Sequence, residues 1–450
     1  MNARWAGAGL VTLGGLTGFV LVSHGYGPSR AHLPLYIFSV TVHLVAVLAS
    51  RKLPNSRSAL WFMVALALLL RGVVCFTPES READYYRYMW DGALSAHGVS
   101  PYRFSPAQIL RGEADSAQVR LLAEEGHQVL ARVNHPELRT LYPPVAQGLF
   151  ALSYWLGPFS SNAWRVVLFL PDLAAGLLIV VLLRRANLPL AWAVTFLWNP
   201  LLIVETYHYR HLDLALAPFL LLFLLGLWKQ RPYMAAAALA GAVAVKLWPV
   251  LLVPFLAIGF WGCRARMIKS LLLFAVLLGI LFIPYWTSMG SEANSGTVAY
   301  AKKWDANEFA FRLFEPLGIS ISRQLPLTVD GRIVSRAILF ALLLGGSAWF
   351  AFLAARRELG SVALALANLP LLMLLAGPTV YPWYFVPALA LAPFLRRPSF
   401  LFWAPLLVLT YLSRSAPNAL FLLALVHIPA WAILTLQIGD LYRHGVKTDA

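Results

Sequence analysis

Charge is scarce in this 450-residue chain: Asp, Glu, Lys and Arg make up 12% of it while 60% is hydrophobic and the mean hydropathy is +0.68. An ordinary soluble domain is about 25% charged, so water is excluded as the solvent of most of this surface. Cysteine is nearly missing. Cys75 and Cys263 stand far apart with no ligand spacing around either, leaving neither a disulfide framework nor a metal knuckle. No G-x-x-x-x-G-K-[ST] loop, H-E-x-x-H, Rossmann fingerprint or nucleophile elbow occurs, so nucleotide hydrolysis and soluble-type hydrolase mechanisms lack a platform. Internal repeats and low-complexity tracts are also absent, and an inverted-repeat transporter gains no support. Acids are outnumbered by bases, 20 to 36, giving a net charge of +16. The bases are scattered between apolar runs and form no patch with interleaved aromatics, so no nucleic-acid partner is expected.

What the chain does have is apolar runs. They fall at approximately 5–24, 33–50, 58–76, 164–183, 188–204, 213–228, 233–246, 248–262, 269–287, 336–355, 360–376, 383–395, 399–412 and 418–438. A crossing helix needs roughly 20 apolar residues, so an all-α, polytopic membrane protein of about 12–14 transmembrane helices is expected, built as a single unit over 1–450. The first run follows Arg4 and lacks a cleavage site, which reads as an uncleaved span. Basic clusters punctuate the runs at Arg51, Lys52 and Arg57; Arg184 and Arg185; Lys229 and Arg231; Arg264, Arg266 and Lys269; Arg356 and Arg357; Arg396 and Arg397; and Arg443 and Lys447. By the positive-inside rule these are cytoplasmic. If each of the 14 segments crosses once, both termini are inside and the loops 77–142, 205–212, 288–335 and 377–382 all face outward. The expected location is the cytoplasmic (inner) membrane, with the working face toward the exterior or periplasm. The apolar stretch 142–157 would spoil that parity and is expected to be re-entrant or tilted, its backbone sheltered beside the site.

The 77–142 loop holds nine of the 20 acids: Glu79, Glu82, Asp84, Asp91, Glu113, Asp115, Glu124, Glu125 and Glu137. Two interfacial helices, over 84–97 and 117–133, suit its composition. Four constellations in the chain carry enough polarity for chemistry. Asp84 and Asp91, seven residues apart among Tyr85, Tyr86, Tyr88 and Trp90, can share one helix face, and an aromatic, partly dry wall makes a carboxylate a better base. An interfacial aromatic belt with solvated acids is the plainer reading. Glu205, His208, Arg210, His211 and Asp213 put five ionisable groups in nine residues at a membrane boundary, which favours a cavity or a ligand. Metal binding by Glu205, His208, His211 and Asp213 is an alternative, though their spacing matches no familiar zinc pattern; no cofactor is expected, and metal dependence stays open. Lys246, followed by Trp248-Pro249, sits inside an apolar run beside a helix breaker; a phosphate seat and a snorkelling lysine both fit. Tyr381, Trp383 and Tyr384 suit either stacking on a sugar or an aromatic belt. On the 288–335 loop, Lys302, Lys303, Trp304 and Asn307 suit an anionic lipid headgroup. His43, Arg71 and Asp172 lie within spans, and structural pairing is the better reading of Asp172.

An ordered series of short motifs runs through these residues. It comprises Asp84-Tyr85, Asp91, Gly98-Val99-Ser100-Pro101-Tyr102, Tyr142 with Pro144, Asn199-Pro200-Leu201, His211 with Asp213, Lys246 with Pro249, and Trp383-Tyr384. In this order the chain resembles the GT-C superfamily of polytopic glycosyltransferases, nearest to glycosyltransferase family 87 and GPI mannosyltransferase I. One departure is that two apolar spans precede the one leading into the Asp84 loop, where the family typically has one before its catalytic loop. The resemblance implies transfer of a sugar, often mannose, from a polyprenyl-phosphate donor to a lipid or glycan acceptor, with membrane lipids around it. It further implies Asp84 as the general base of an inverting transfer, Lys246, His211, Lys302 and Lys303 around the donor phosphate, and Asp91, Tyr85, Tyr102, Glu205, His208, Asp213, Trp304, Asn307, Tyr381, Trp383 and Tyr384 around substrate. A lipid-linked sugar flippase or transporter, or a GT-C enzyme moving an aminosugar or glycan, are the alternatives.

Overall fold

A computed structural model describes residues 3–24, 31–51, 53, 56–79, 84–114, 116–287, 295–324, 330–355, 358–413 and 419–446. Lys52, Glu82, Asp115, Arg356, Arg357 and Lys447 of the sequence reading lie outside them. Among the described residues there is no strand beyond one isolated bridge pairing Ala306 with Thr379, and helices carry the fold.

By length and composition, seven helices among the described residues can cross a membrane: Ala3–His24, Leu33–Ser50, Arg57–Cys75, Ser161–Arg185, Gly331–Ala354, Leu359–Ala376 and Ala419–Arg443. An eighth results if Pro200–His208 and Leu212–Trp228, bent by 114° at their junction, count as one. Three more apolar helices, Pro232–Val245, Trp248–Gly259 and Ser399–Ser413, are shorter. Fourteen uninterrupted spans are therefore not what the apolar segments make, and the parity argument for sidedness loses its basis. Proline is the physical reason. Pro200, Pro249 and Pro387 each sit in the first turn of a short helix, where the missing N–H and fixed φ start a new element rather than continue the old one.

Burial sorts the helices. The Leu359–Ala376 helix has 78% of its apolar window buried and is central, whereas only 28% is buried for Ala419–Arg443, which presents its apolar surface outward. Inside the bundle, Arg71 pairs with Asp172 in two parallel bonds of 2.6 and 2.9 Å, and Tyr207 donates to the same carboxylate at 2.6 Å. This is the structural pairing expected of Asp172. His43 similarly meets the carbonyl of Val194 at 3.0 Å.

The described residues of the 77–142 stretch form a folded element on this bundle. Its first helix, Asp84–Ala96, matches the expected one almost residue for residue. The expected 117–133 helix is instead Ala117–Glu125 and His127–Leu130, divided at Gly126, whose N–H closes the first of them on Leu122. Asp84–Ala96 packs on Pro144–Leu156, a 13-residue helix about 20 Å long and too short for a hydrocarbon core of about 30 Å. That shortness fits the re-entrant reading of 142–157. The contact is close because Gly92 has no side chain; a Cβ there would collide with the carbonyl of Phe150. Beside it Tyr88 stacks on Phe150 with ring centroids 4.7 Å apart.

Candidate functional site

Two helix breaks face each other where the folded 77–142 element meets the bundle. At the first, Asn199 caps the Pro200–Ile203 helix by accepting from Leu201 and Leu202 N–H at 3.0 and 3.2 Å. The chain then widens into a π turn over Val204–His208, closed by Tyr209 N–H to Val204 carbonyl at 3.1 Å. Arg210 follows with φ of 64°, a conformation rare outside glycine, and Trp164 Nε1 anchors its carbonyl at 2.8 Å. The wide turn and the bend bring Glu205, His211 and Asp213 to one place. At the second break the Pro232–Val245 helix stops and Lys246 is fully extended (φ −154°, ψ 140°), as the proline at 249 leads one to expect.

Lys246 Nζ donates to Asp213 Oδ1 at 2.5 Å and lies 4.0 Å above the Tyr384 ring. Tyr384 meets Tyr300 hydroxyl to hydroxyl at 3.1 Å. Trp383 stacks on the His211 imidazole with centroids 3.8 Å apart, and Tyr381 stacks on Trp383 at 4.2 Å. The His211 ring lies between two carboxylates, its Nδ1 3.9 Å from Asp84 and its Nε2 3.8 Å from Glu205. Glu205 accepts from the hydroxyls of Tyr36 at 2.8 Å and Tyr411 at 2.9 Å. Asp84 accepts from Asn134 Nδ2 at 2.6 Å. The Asn134 loop is held in turn by the Arg87 guanidinium, which donates to the carbonyls of Asn134, His135 and Leu138.

Accessibility separates these groups. The side chains of Glu205, His211 and Asp213 are 0%, 1% and 4% exposed, whereas Asp84 and Lys246 keep 26% and 21%. Burial nevertheless raises the Asp84 pKa above the ordinary carboxylate value, opposed by the Asn134 hydrogen bond and by the nearby charge of Lys246. A carboxylate so shifted, near a cation and reachable from outside, can take a proton while an anion departs beside it.

The sequence-predicted residues divide accordingly. Asp84, Glu205, His211, Asp213, Lys246, Tyr381, Trp383 and Tyr384 are brought together. Asp91 is not among them: its buried carboxylate accepts from Gln147 at 3.2 Å, stitching the Asp84–Ala96 and Pro144–Leu156 helices, and burial pushes its pKa up to about 6. Tyr102 is buried and donates to the Tyr142 carbonyl, and His208 packs edge-on against Phe19 and His32. Tyr85 is buried under the Arg210 guanidinium. Asn307 spends its amide on the Val380 carbonyl and Ser413 hydroxyl, and Trp304 packs on His135. Lys302 and Lys303 end the Gly296–Lys303 helix as exposed side chains. Among the described residues, no three of the His, Cys, Asp and Glu side chains converge as a metal site would require.

Asn134, Tyr36 and Tyr411 escape the sequence reading, and Arg87 and Tyr300 lie in stretches that it singles out without giving either a role. A buried tyrosine hydroxyl always wants a partner, so Tyr36 and Tyr411 in apolar runs carried a signal, but nothing in their spacing names Glu205.

No curated protein and no solved structure matches this chain. The model of glycosyltransferase family 87 matches residues 140–378, more than half of it, and the chain belongs to that family of glycosyltransferases.

Proposed function

We propose that this membrane glycosyltransferase moves a sugar, mannose by the family resemblance, from a polyprenyl-phosphate donor to a hydroxyl of a lipid or glycan acceptor outside the cytoplasm. Asp84 accepts the acceptor hydroxyl's proton as its oxygen attacks the anomeric carbon from the face opposite the phosphate. The bond between that carbon and the phosphate oxygen breaks, its electron pair stays on oxygen, and polyprenyl phosphate leaves with the configuration inverted. Lys246 stabilises the charge gathering on the phosphate, and His211, stacked on Trp383, completes that wall. Trp383, held between His211 and Tyr381, fixes this stack, and Tyr381, its more exposed member, offers stacking surface to the sugar.

The observation that carries this reading is the pattern of exposure: of five ionisable side chains converging from distant parts of the sequence, the base and the phosphate cation are the two left open. Asp84, Tyr381, Trp383 and Tyr384 lie outside the stretch matched by the family model, while Glu205, His211, Asp213 and Lys246 lie inside it. Membership in a glycosyltransferase family favours an enzyme over a flippase.

The test is incubation of purified protein with a labelled polyprenyl-phosphate sugar and a lipid extract as acceptor, followed by isolation of a covalent product. Since a general base contributes about 10²–10⁴-fold, Asp84→Asn is expected to lose that much transfer with an unchanged yield of folded protein. Unimpaired transfer by Asp84→Asn removes Asp84 from the mechanism.

A further inference from the structure

At the opposite end of the Pro232–Val245 helix from Lys246, about 20 Å along its axis, lies a second polar feature that the transfer reaction does not use. It is a cavity of about 530 Å³ lined by Arg185, Leu225, Lys229, Arg231 and Met234. Three cations share its rim and no acid lines it.

The local fold gathers these cations. Gly226 lets the Ala217–Trp228 and Pro232–Val245 helices close on each other, since a Cβ there would stand 2.8 Å from Ala235. Gln230 takes φ of 53° and Arg231 N–H returns to the Gly226 carbonyl at 2.7 Å, a tight turn that carries Lys229 and Arg231 to one rim. Arg185 ends the long Ser161–Arg185 helix beside them. Trp228, 3.6 Å below Lys229 Nζ, and the exposed Tyr233 flank the turn, the aromatic pairing found where helices leave a bilayer.

Three like charges around one hollow repel until an anion enters it. Leu225 and Met234, from the apolar Leu212–Trp228 and Pro232–Val245 helices, give the hollow an apolar floor. We infer that this cavity seats the phosphate of an anionic membrane lipid, separately from the sugar donor. Free phosphate shares the charge chemistry but has no use for the floor.

Full-length protein is reconstituted in nanodiscs of phosphatidylcholine doped with labelled phosphatidylglycerol, and bound lipid is quantified by native mass spectrometry. The wild type is expected to retain phosphatidylglycerol over phosphatidylcholine. Each cation removed in Arg185→Gln, Lys229→Gln and Arg231→Gln is expected to weaken retention about fivefold. A control variant lacking the exposed Arg264, Arg266 and Lys269 at the start of another helix is expected to bind as the wild type does. Equal loss in the control, or no loss in the cavity variants, overturns the proposal. So does displacement of the lipid by millimolar inorganic phosphate in the wild type, which would make the seat one for the free anion.

Discussion

Lys246 reaches across from one broken helix to Asp213 on another, Nζ to Oδ1 at 2.5 Å, so the cation proposed for the donor phosphate already has a buried carboxylate behind it. The pair is pre-positioned, and a donor of the ammonium engaged by neither Asp213 nor the Tyr384 ring can turn toward a phosphate. Lys246→Met is expected to cost about 10²–10³ in kcat/KM, the loss typical of removing one transition-state donor. Part of that loss could reflect the orphaned Asp213, so Lys246→Met with Asp213→Asn serves as the control. Full transfer by the double variant would show that Lys246 only neutralises Asp213.

The Asn134 amide holds Asp84 toward its charged form. Removing it in Asn134→Ala raises an already raised pKa, and the base must be ionised to work. The acid limb of the pH profile of kcat/KM is therefore expected to move to higher pH. An unshifted limb, with activity merely reduced, would mean that a different group titrates.

Asp91 makes a stability prediction with the opposite pH trend from a salt-bridged acid. Its folded pKa of about 6 lies above the ordinary 3.8, so the fold binds this proton more tightly than the unfolded chain does. The contribution is fully present below about 3.8 and is lost as pH rises through about 6. Asp91→Asn, permanently neutral, is expected to flatten the fall in Tm across that window while transfer persists. Thermal melts in detergent from pH 4 to about 7 check this.

Breaking the Arg71–Asp172 pair is expected to be costly, because Asp172→Ala leaves a buried guanidinium uncompensated, a loss of about 3–5 kcal/mol. Arg71→Met combined with Asp172→Leu should recover much of it. Equal melting of Asp172→Ala and the wild type would refute the argument.

Gly92→Ala adds one methyl group against the Phe150 carbonyl. Overpacking of this kind costs about 1–3 kcal/mol, and here the helix that must yield carries Asp84. Transfer should fall more than stability does. Retained activity at wild-type level would mean the two helices separate without disturbing the base.

Some of this architecture was readable in advance. The Asp84–Ala96 helix and the break at Lys246 follow from composition and from proline, which act locally and leave marks in a short window. The number of crossings was not readable, because hydropathy measures where a segment is comfortable and not how far it runs; buried half-helices are as apolar as full spans. Glu205 illustrates the limit at the site. It reads as a boundary residue open to substrate, yet it lies beneath His211 under two tyrosine hydroxyls from helices far away in sequence. The partners of Asp84 were hidden for the same reason: Asn134 sits in an unpatterned loop whose shape is set by Arg87.

The π turn at Val204–His208 has a consequence for how this protein tolerates change. Deleting one residue there would relax the backbone to an ordinary helical turn and leave the apolar packing serviceable. The Val204 carbonyl, which now accepts from Tyr209 five residues on, would accept the same N–H four residues on, so the change would be absorbed within the turn and fall on its own side chains, Glu205 beneath His211 among them. A chain altered in this way would keep its frame and lose only the seating of Glu205 under Tyr36 and Tyr411, so this one wide turn is where the floor of the site can be rebuilt without moving its walls.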